Sequence, residues 1–341
     1  MIRLYAYGDG GVSDDVRLRY PISHIKQDDG FRFKLVSGTI AEGVKLPVDP
    51  NGVYIFSRPV GSLELAITSI RSQHPNAKII ADLDDSFWDI PTSHVAYNSI
   101  GPKSENILSL ERNLKKVDAV VASTETLKKR IEEKTGRHDV MVIPNVCNSD
   151  NPYLALKRPS KQLRFGFSGT ITHRDDFKIM LKPLIQFINE TDEVKIIMAV
   201  DSTLYRLLSS IPEKKKVFVP AYPYQYYPIQ LSYMDILMIP LVNDPFNRAK
   251  SHIKLLDAVA NKKPFIASDV EPYHPYNQGE PHTWAGLVVP NDPESWYSAM
   301  RYMLSEKNRE AFISAGEDIK KKMHVSVSAE MWKKVIQGVL Q

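Results

Sequence analysis

The sequence predicts two doubly wound α/β domains in tandem, an expectation that rests on its apolar periodicity and on one polar divider. Short β-rich runs, nearly continuous in apolar residues, recur along the chain, as strands covered on both faces of a parallel sheet do. Segments of helical periodicity separate them, and a polar, proline-bearing stretch, residues 145–162, splits the series into two sets. At 341 residues, the chain has room for about two domains of roughly 150–200 residues each.

In the first set, residues 1–7 run straight into a strand and a glycine turn, and residues 53–56, 78–81, 119–122 and 140–143 read as further strands. Helical patterns cover residues 62–72 and 124–135; Ser123 or Thr124 caps the latter, with Glu125 in its first turn. In the second set, residues 163–167, 194–199, 216–219, 236–239 and 264–267 are strand-like. Two amphipathic helical stretches, about 293–322 and 326–340, close the sequence. The expected organisation is an N-terminal domain over 1–148, a C-terminal domain over 149–325, and a helix over 326–341 that packs back on the first domain. Ligands of open α/β sheets sit beyond the C-terminal ends of the strands, which places the expected cleft between the halves.

Composition narrows the function classes. Hydrophobic residues make up 43% and charged residues 25%, ordinary values for globular chains that leave no case for disorder. The formal charge of +4, from 44 basic and 40 acidic residues, lacks the basic blocks of a dedicated nucleic-acid binder but suits an anionic small ligand. The run Lys214-Lys215-Lys216 reads as a solvated loop feature. Cys147 is the only cysteine, which excludes an intrachain disulfide and thiol metal clusters; in its polar loop it reads as incidental. The first residues lack the order of a signal peptide, and no stretch approaches ~18 uninterrupted apolar residues. A cytoplasmic protein without a transmembrane segment is expected.

The most informative stretch runs from Ile239 to Ala258. A strand ends at Pro240, a loop follows, and Ser251 is placed to cap a helix whose buried side takes Ile253, Leu255, Leu256, Val259 and Ala260. Free N–H groups and the positive end of the helix dipole attract phosphate there. Lys250 and Lys254 add charge at the same end, an arrangement unfavourable against the dipole unless an anion compensates it; two exposed lysines beside an ordinary cap is the plainer reading. Asp257 can accept hydrogen bonds from ribose hydroxyls or pair with Lys254 three residues before it. A second loop, Ser168-Gly169-Thr170, follows a strand and leads to His173, Arg174, Asp175 and Asp176, where a helix begins. Its small residues admit a ligand close to the backbone, and Arg174 can face a phosphate. His173 is either a ligand contact or a structural histidine. The aromatic crowd Tyr222, Tyr224, Tyr226 and Tyr227 either stacks a base or sugar or simply packs.

Together these stretches resemble the donor domain of retaining GT-B glycosyltransferases of family 4, the glycosyltransferase group 1 type. Residues 254–268 are similar to that family's helix-turn-strand, and the likeness continues over Asp269-Val270-Glu271-Pro272-Tyr273. Phe246-Asn247-Arg248-Ala249-Lys250-Ser251 looks like a branch found in bacterial surface-polysaccharide and phage-encoded enzymes. In the first half, residues 81–91, residues 118–124 and Ile143-Pro144-Asn145 resemble the same branch, so the likeness touches about 78–303.

The resemblance implies the GT-B fold, two Rossmann-like domains facing an interdomain cleft, and a UDP- or GDP-sugar as donor substrate with no cofactor required. It implies that Ser168, Gly169, Thr170, Lys250 and Ser251 hold the diphosphate, with Arg174 and Lys254 beside them. Asp257 takes the ribose, and the Val219-Pro220-Ala221-Tyr222 loop holds the base. One departure stands out: the first of the family's two glutamates falls on Ala249, and Asp244 or Asn247 is left to take its place. The implied reaction retains configuration, with cations stabilising the departing diphosphate.

Asp82-Leu83-Asp84 also forms a DxD string, a pattern that can hold a divalent metal; the GT-B likeness argues for no metal. Asp84 and Asp85 then orient the acceptor or act as base, unless Asp85 and Ser86 merely cap the following turn. Gly10 and Gly11 are expected to line the same cleft, with Trp88 on the acceptor side. Arg17 and Arg19 either meet an anionic acceptor or lie on a solvated face. The implied acceptor is a glycan or lipid-linked glycan, with peripheral membrane contact compatible. Two alternatives remain open: a phage enzyme glycosylating hydroxymethylated DNA bases, and a nucleotide-sugar binding module without catalysis, which Ala249 motivates.

Overall fold

The structure, a computed structural model, describes residues 1–8, 11–28, 30–39, 49–61, 63–147, 150–276 and 285–341. It divides into two units. The first comprises Met1–Val146, Ala249–Ser251 and His324–Gln341, and the second Cys147–Arg248 and His252–Met323.

The first unit is built on a six-stranded sheet ordered β2-β1-β3-β4-β5-β6. Its strands are β1 (Ile2–Gly8), β2 (Phe33–Thr39), β3 (Val53–Ser57), β4 (Lys78–Leu83), β5 (Ala119–Ala122) and β6 (Met141–Val142), and their pairings are parallel. Strand β3 is buried along its whole length, which is why its run of apolar residues does not alternate. The helix Glu125–Thr135 is capped by Thr124, whose side chain accepts from Leu127 N. It stops at Gly136, which adopts the left-handed conformation with φ 71° that glycine reaches without steric cost. The helix Val325–Leu340 completes this core. Trp332 is fully buried, packs with Leu4, Ile22, Val335 and Ile336, and donates from Nε1 to Arg17 O at 3.0 Å.

The second unit carries a six-stranded sheet ordered β12-β11-β10-β7-β8-β9. It consists of β7 (Leu163–Ser168), β8 (Val194–Ala199), β9 (Lys216–Val219), β10 (Ile236–Ile239), β11 (Phe265–Ser268) and β12 (Gly286–Val289), again in parallel pairs. The two-residue period of a strand splits its side chains between two cores. Ile196, Met198, Ile236 and Met238 face the helices Arg174–Glu190 and Pro293–Tyr302. Ile197, Ala199, Leu237 and Ile239 face the helix Ile253–Ala260.

Four expectations are corrected. Two strands that the sequence did not single out, β2 and β12, each take an edge of a sheet. The stretch expected as one helix over 293–322 is two, Pro293–Tyr302 and Glu306–Lys322. Ser305 caps the second by accepting from Asn308 N, and Arg309 Nη1 donates to Met303 O and Leu304 O, both at 2.8 Å. Lys215 and Lys216 are not solvated: only 8% and 7% exposed, they donate to chain carbonyls. Lys215 Nζ reaches Ile188 O at 2.9 Å and Thr191 O at 3.0 Å, where the long helix ends, and Lys216 Nζ reaches Leu208 O at 2.9 Å. Cys147 is no loop bystander either. It lies in the second unit's core, its Sγ 3.7 Å from Leu256 O, and burial pushes the thiol up to about 12.

Candidate functional site

In the second unit, the loop beyond β7 is fixed from both sides. Gly169 is closely approached, since a Cβ there would lie 3.1 Å from His173 Cδ2 and 3.3 Å from Phe167 Cζ. Ser168 Oγ accepts from Gln230 Nε2 at 2.9 Å, and Gln230 Oε1 accepts from Tyr222 N at 3.0 Å. One buried amide therefore ties the Ser168–Thr170 loop to the loop of Ala221 and Tyr222. Lys254 Nζ donates to Ser168 O at 3.4 Å and lies 5.6 Å from the centre of the Phe167 ring.

Behind this loop, Asp176 is 4% exposed and works as a hub. Its Oδ2 meets His173 Nδ1 at 2.8 Å, and its Oδ1 accepts from Val242 N at 2.8 Å and from Asn247 Nδ2 at 3.3 Å. Asn247 Nδ2 also donates to Val242 O at 3.0 Å, and its N to Asp244 Oδ1 at 2.8 Å. Asn247 and Asp244, weighed as substitutes for a sugar-binding carboxylate, are thus joined to each other in the loop beyond β10. Arg174 opens the long helix, 3.5 Å from Asp175.

The helix Ile253–Ala260 begins one residue later than expected. His252 occupies its N-cap without a side-chain cap bond, and burial lowers the imidazole to about 4, so it is neutral at pH 7. Ser251 is not the cap; its Oγ accepts from Asn145 Nδ2 at 2.7 Å. Lys254 stands in the first turn and Asp257 one turn further. Burial drives the Asp257 carboxyl up to about 7 against the opposing charge of Lys254. The same burial, with Asp257 nearby, raises the Tyr227 phenol, while a hydrogen bond with Ser168 opposes it. Asp257 and Tyr227 share a recess with Asn151, Tyr224, Pro228 and Asn261, and the rings of Tyr224 and Tyr227 stack at 6.2 Å. The second unit therefore gathers Ser168, Gly169, Tyr222, Lys254 and Asp257 around the C-terminal edge of its sheet.

In the first unit, Asp84 and Asp85 follow β4 and are half-buried. Burial and the Asp84 charge raise Asp85 to about 6, against the opposing charges of Lys250 and Arg58. Lys250 therefore stands with Asp85, because Ala249–Ser251 fall in this unit. Ala249 is buried, and its carbonyl accepts from Thr124 Oγ1 at 2.7 Å. Arg58, which the sequence did not single out, places Nε 3.6 Å from Asp84 Oδ1. Its φ of 47° is a left-handed conformation costing a non-glycine residue about 1 kcal/mol or more. The one sequence cue was its position, at a strand end and just before Pro59. Gln230 left no cue at all.

One first-unit expectation changes. Arg17 is neither solvated nor open to an acceptor: it is 2% exposed and donates to both Asp82 oxygens, at 3.1 and 2.7 Å. It also reaches Ile143 O at 2.6 Å and Asn145 Oδ1 at 2.9 Å. Both oxygens of Asp82 are thus engaged by Arg17. Arg19 pairs with Asp15 at 2.9 Å. Trp88 is buried and donates to Glu111 Oε1 at 2.8 Å. Gly11 precedes a short helix, and Gly10 lies outside the described residues.

No protein-family model matches the sequence, and no curated protein matches it. Solved structures do match. A glycosyltransferase from Rickettsia africae aligns with TM-score 0.61 at 14% identity, over 85% of this chain and 77% of that one. Anabaena HepE in complex with UDP and glucose aligns with TM-score 0.62 at 12% identity, over 84% and 78%. An S. aureus TarM variant, crystallised with UDP and α-GlcNAc-glycerol among its ligands, aligns with TM-score 0.61 at 12% identity over 84% of this chain. The chain spans 55% of that TarM structure. At such identities the likeness establishes architecture, and the architecture is the GT-B fold of glycosyltransferases.

Proposed function

We propose that this chain is a retaining glycosyltransferase that moves a hexose from a nucleoside diphosphate donor to a hydroxyl of a glycan or lipid-linked glycan. The reading rests on the grouping of Ser168, Lys254, Asp257 and Tyr227 at one edge of the second sheet. In this assignment the backbone of Ser168, Gly169 and Thr170, with Lys254 and Arg174, holds the diphosphate. Asp257 accepts from ribose hydroxyls, and the Ala221–Tyr222 loop borders the base. The UDP in the HepE and TarM structures favours uridine over guanosine.

As the glycosidic bond breaks, negative charge grows on the departing diphosphate, and a fixed ammonium and helix-end amides stabilise it more than they stabilise the intact donor. The acceptor hydroxyl attacks from the face the diphosphate leaves, without a covalent enzyme intermediate. Asp85, near 6, is mostly ionised at neutral pH and close enough to neutrality to orient a hydroxyl and take its proton. Lys250 and Arg58 favour its ionised form.

The test is ligand-induced stabilisation with UDP and GDP, followed by hydrolysis of the matching nucleotide sugars. UDP should raise Tm by a few degrees at about 100 times its Kd, and Lys254→Ala should remove most of the shift. Slow release of sugar without acceptor separates an enzyme from a binding module, and the anomeric configuration of the product decides retention. No shift with either nucleotide would overturn the proposal.

A further inference from the structure

At the opposite edge of the second sheet, where its strands begin, lies a cavity of about 850 Å³. Its wall includes Leu163 and Arg164 at the start of β7, Val194 at the start of β8, Asp235 just before β10 and Pro264 just before β11. Ser168, Lys254 and Asp257 are not among its lining residues, so it is separate from the donor site proposed above. Its volume lies within the range of small-molecule sites, about 300–1,000 Å³.

Its charge is unevenly settled. Arg164 donates to Asp235 through Nε at 2.9 Å and Nη2 at 2.7 Å, so that pair is internally neutral. Lys263 is only 9% exposed, yet its ammonium has no hydrogen-bond or ion-pair partner among the described residues. Among the described residues, the two other lysines covered to this extent are satisfied: Lys215 and Lys216 each donate to carbonyls at 2.9 Å. Packing covers most of the side chain and partly desolvates the ammonium at the cavity wall, and Lys263 is held in place by a turn. Its N donates to Ala258 O at 2.9 Å, just after Lys262 at φ 54°. Burial lowers the Lys263 ammonium, Asp235 opposes that, and the charges of Arg164 and Lys157 add to it. The remaining acids of the wall, Asp192, Glu193, Glu306 and Glu310, are exposed at the rim.

We propose that this cavity is a second ligand site, taking a small phosphate-bearing molecule whose dianion is held by the unpaired Lys263 ammonium and by the exposed Lys157, both of which line it. Two ammonium groups and a neutral Arg164–Asp235 pair match a doubly charged oxyanion better than a single carboxylate.

The experiment uses the intact chain and two probes, inorganic phosphate and glycerol phosphate, with chloride at matched ionic strength as control. Both probes should raise Tm saturably, where chloride does not. Lys263→Met should weaken the apparent affinity at least tenfold while raising the Tm of the ligand-free protein, because it removes a partly desolvated charge. Lys157→Glu, on an exposed side chain that leaves folding intact, should weaken the probes several-fold, and Lys254→Ala should leave the response in place. Tighter binding of glycerol phosphate identifies an organic phosphate as occupant, and equal binding identifies free phosphate. A response that survives both Lys263→Met and Lys157→Glu, that disappears with Lys254→Ala, or that chloride reproduces overturns the proposal.

Discussion

Asp257 and Asp85 show how far burial moves a carboxyl from its ordinary range. Asp257 titrates near 7 in the folded chain against an ordinary 3.8, so the fold keeps a proton that the unfolded chain releases above about pH 4. Its stabilising contribution is complete below that pH and is lost as pH rises through 7. Asp257→Asn abolishes this loss. Its Tm should match that of the wild type near pH 4 and exceed it by up to about 10 °C at pH 8, as read by calorimetry across that range. Asp85→Asn tests the proposed base: kcat should fall by about 10²-fold or more, with the UDP-induced Tm shift unchanged. At this scale the sequence revealed loops after strands, because Ser168-Gly169-Thr170 and Asp84-Asp85 each directly follow an apolar run. It hid what burial decides. The polar neighbours of Cys147 and the lysine run around Lys215 read as surface, and the pair Arg17 and Arg19 as solvated or facing an acceptor, yet tertiary packing enclosed Cys147, Lys215, Lys216 and Arg17.

Among the elements, the legible strands were those covered on both faces, such as β3 and β10, whose apolar runs are continuous. The edge strands β2 and β12 escaped because their signals are short: Lys34 interrupts β2, which ends in Ser37-Gly38-Thr39, and β12 has only Leu287-Val288-Val289 after a glycine. That glycine is needed. A Cβ at Gly286 would lie 2.5 Å from Phe265 O, and a backbone atom in a paired strand cannot step aside cheaply. Gly286→Ala should therefore cost about 1–3 kcal/mol, measurable as a lower urea midpoint with an unchanged slope. The break before Glu306 was hidden because the periodicity of 293–322 continues through it, while the local bonds of Ser305 and Arg309 set the actual ends.

For the whole molecule, two parallel sheets were legible because strand and helix signals alternate on both sides of residues 145–162. The excursion of Ala249–Ser251 into the first unit was not, since nothing local distinguishes a segment that packs with a distant part of the chain. The helix Val325–Leu340 makes the same point with a larger energy. Trp332→Ala removes a fully buried indole and its bond to Arg17 O, and should destabilise the first unit by about 3–5 kcal/mol. Loss of near-ultraviolet ellipticity and early proteolysis within residues 1–146 would register it.

That helix also bears on the order in which the polypeptide matures as it is made. Residues 1–146 leave the ribosome with Leu4 and Ile22 lacking the indole that covers them, whereas nearly everything the second unit needs has emerged by Met323. Synthesis runs at about 5–20 residues per second, and domains otherwise tend to consolidate from the N-terminus. Here the half translated first is the half finished last, and it holds open apolar surface for many seconds, within reach of chaperones.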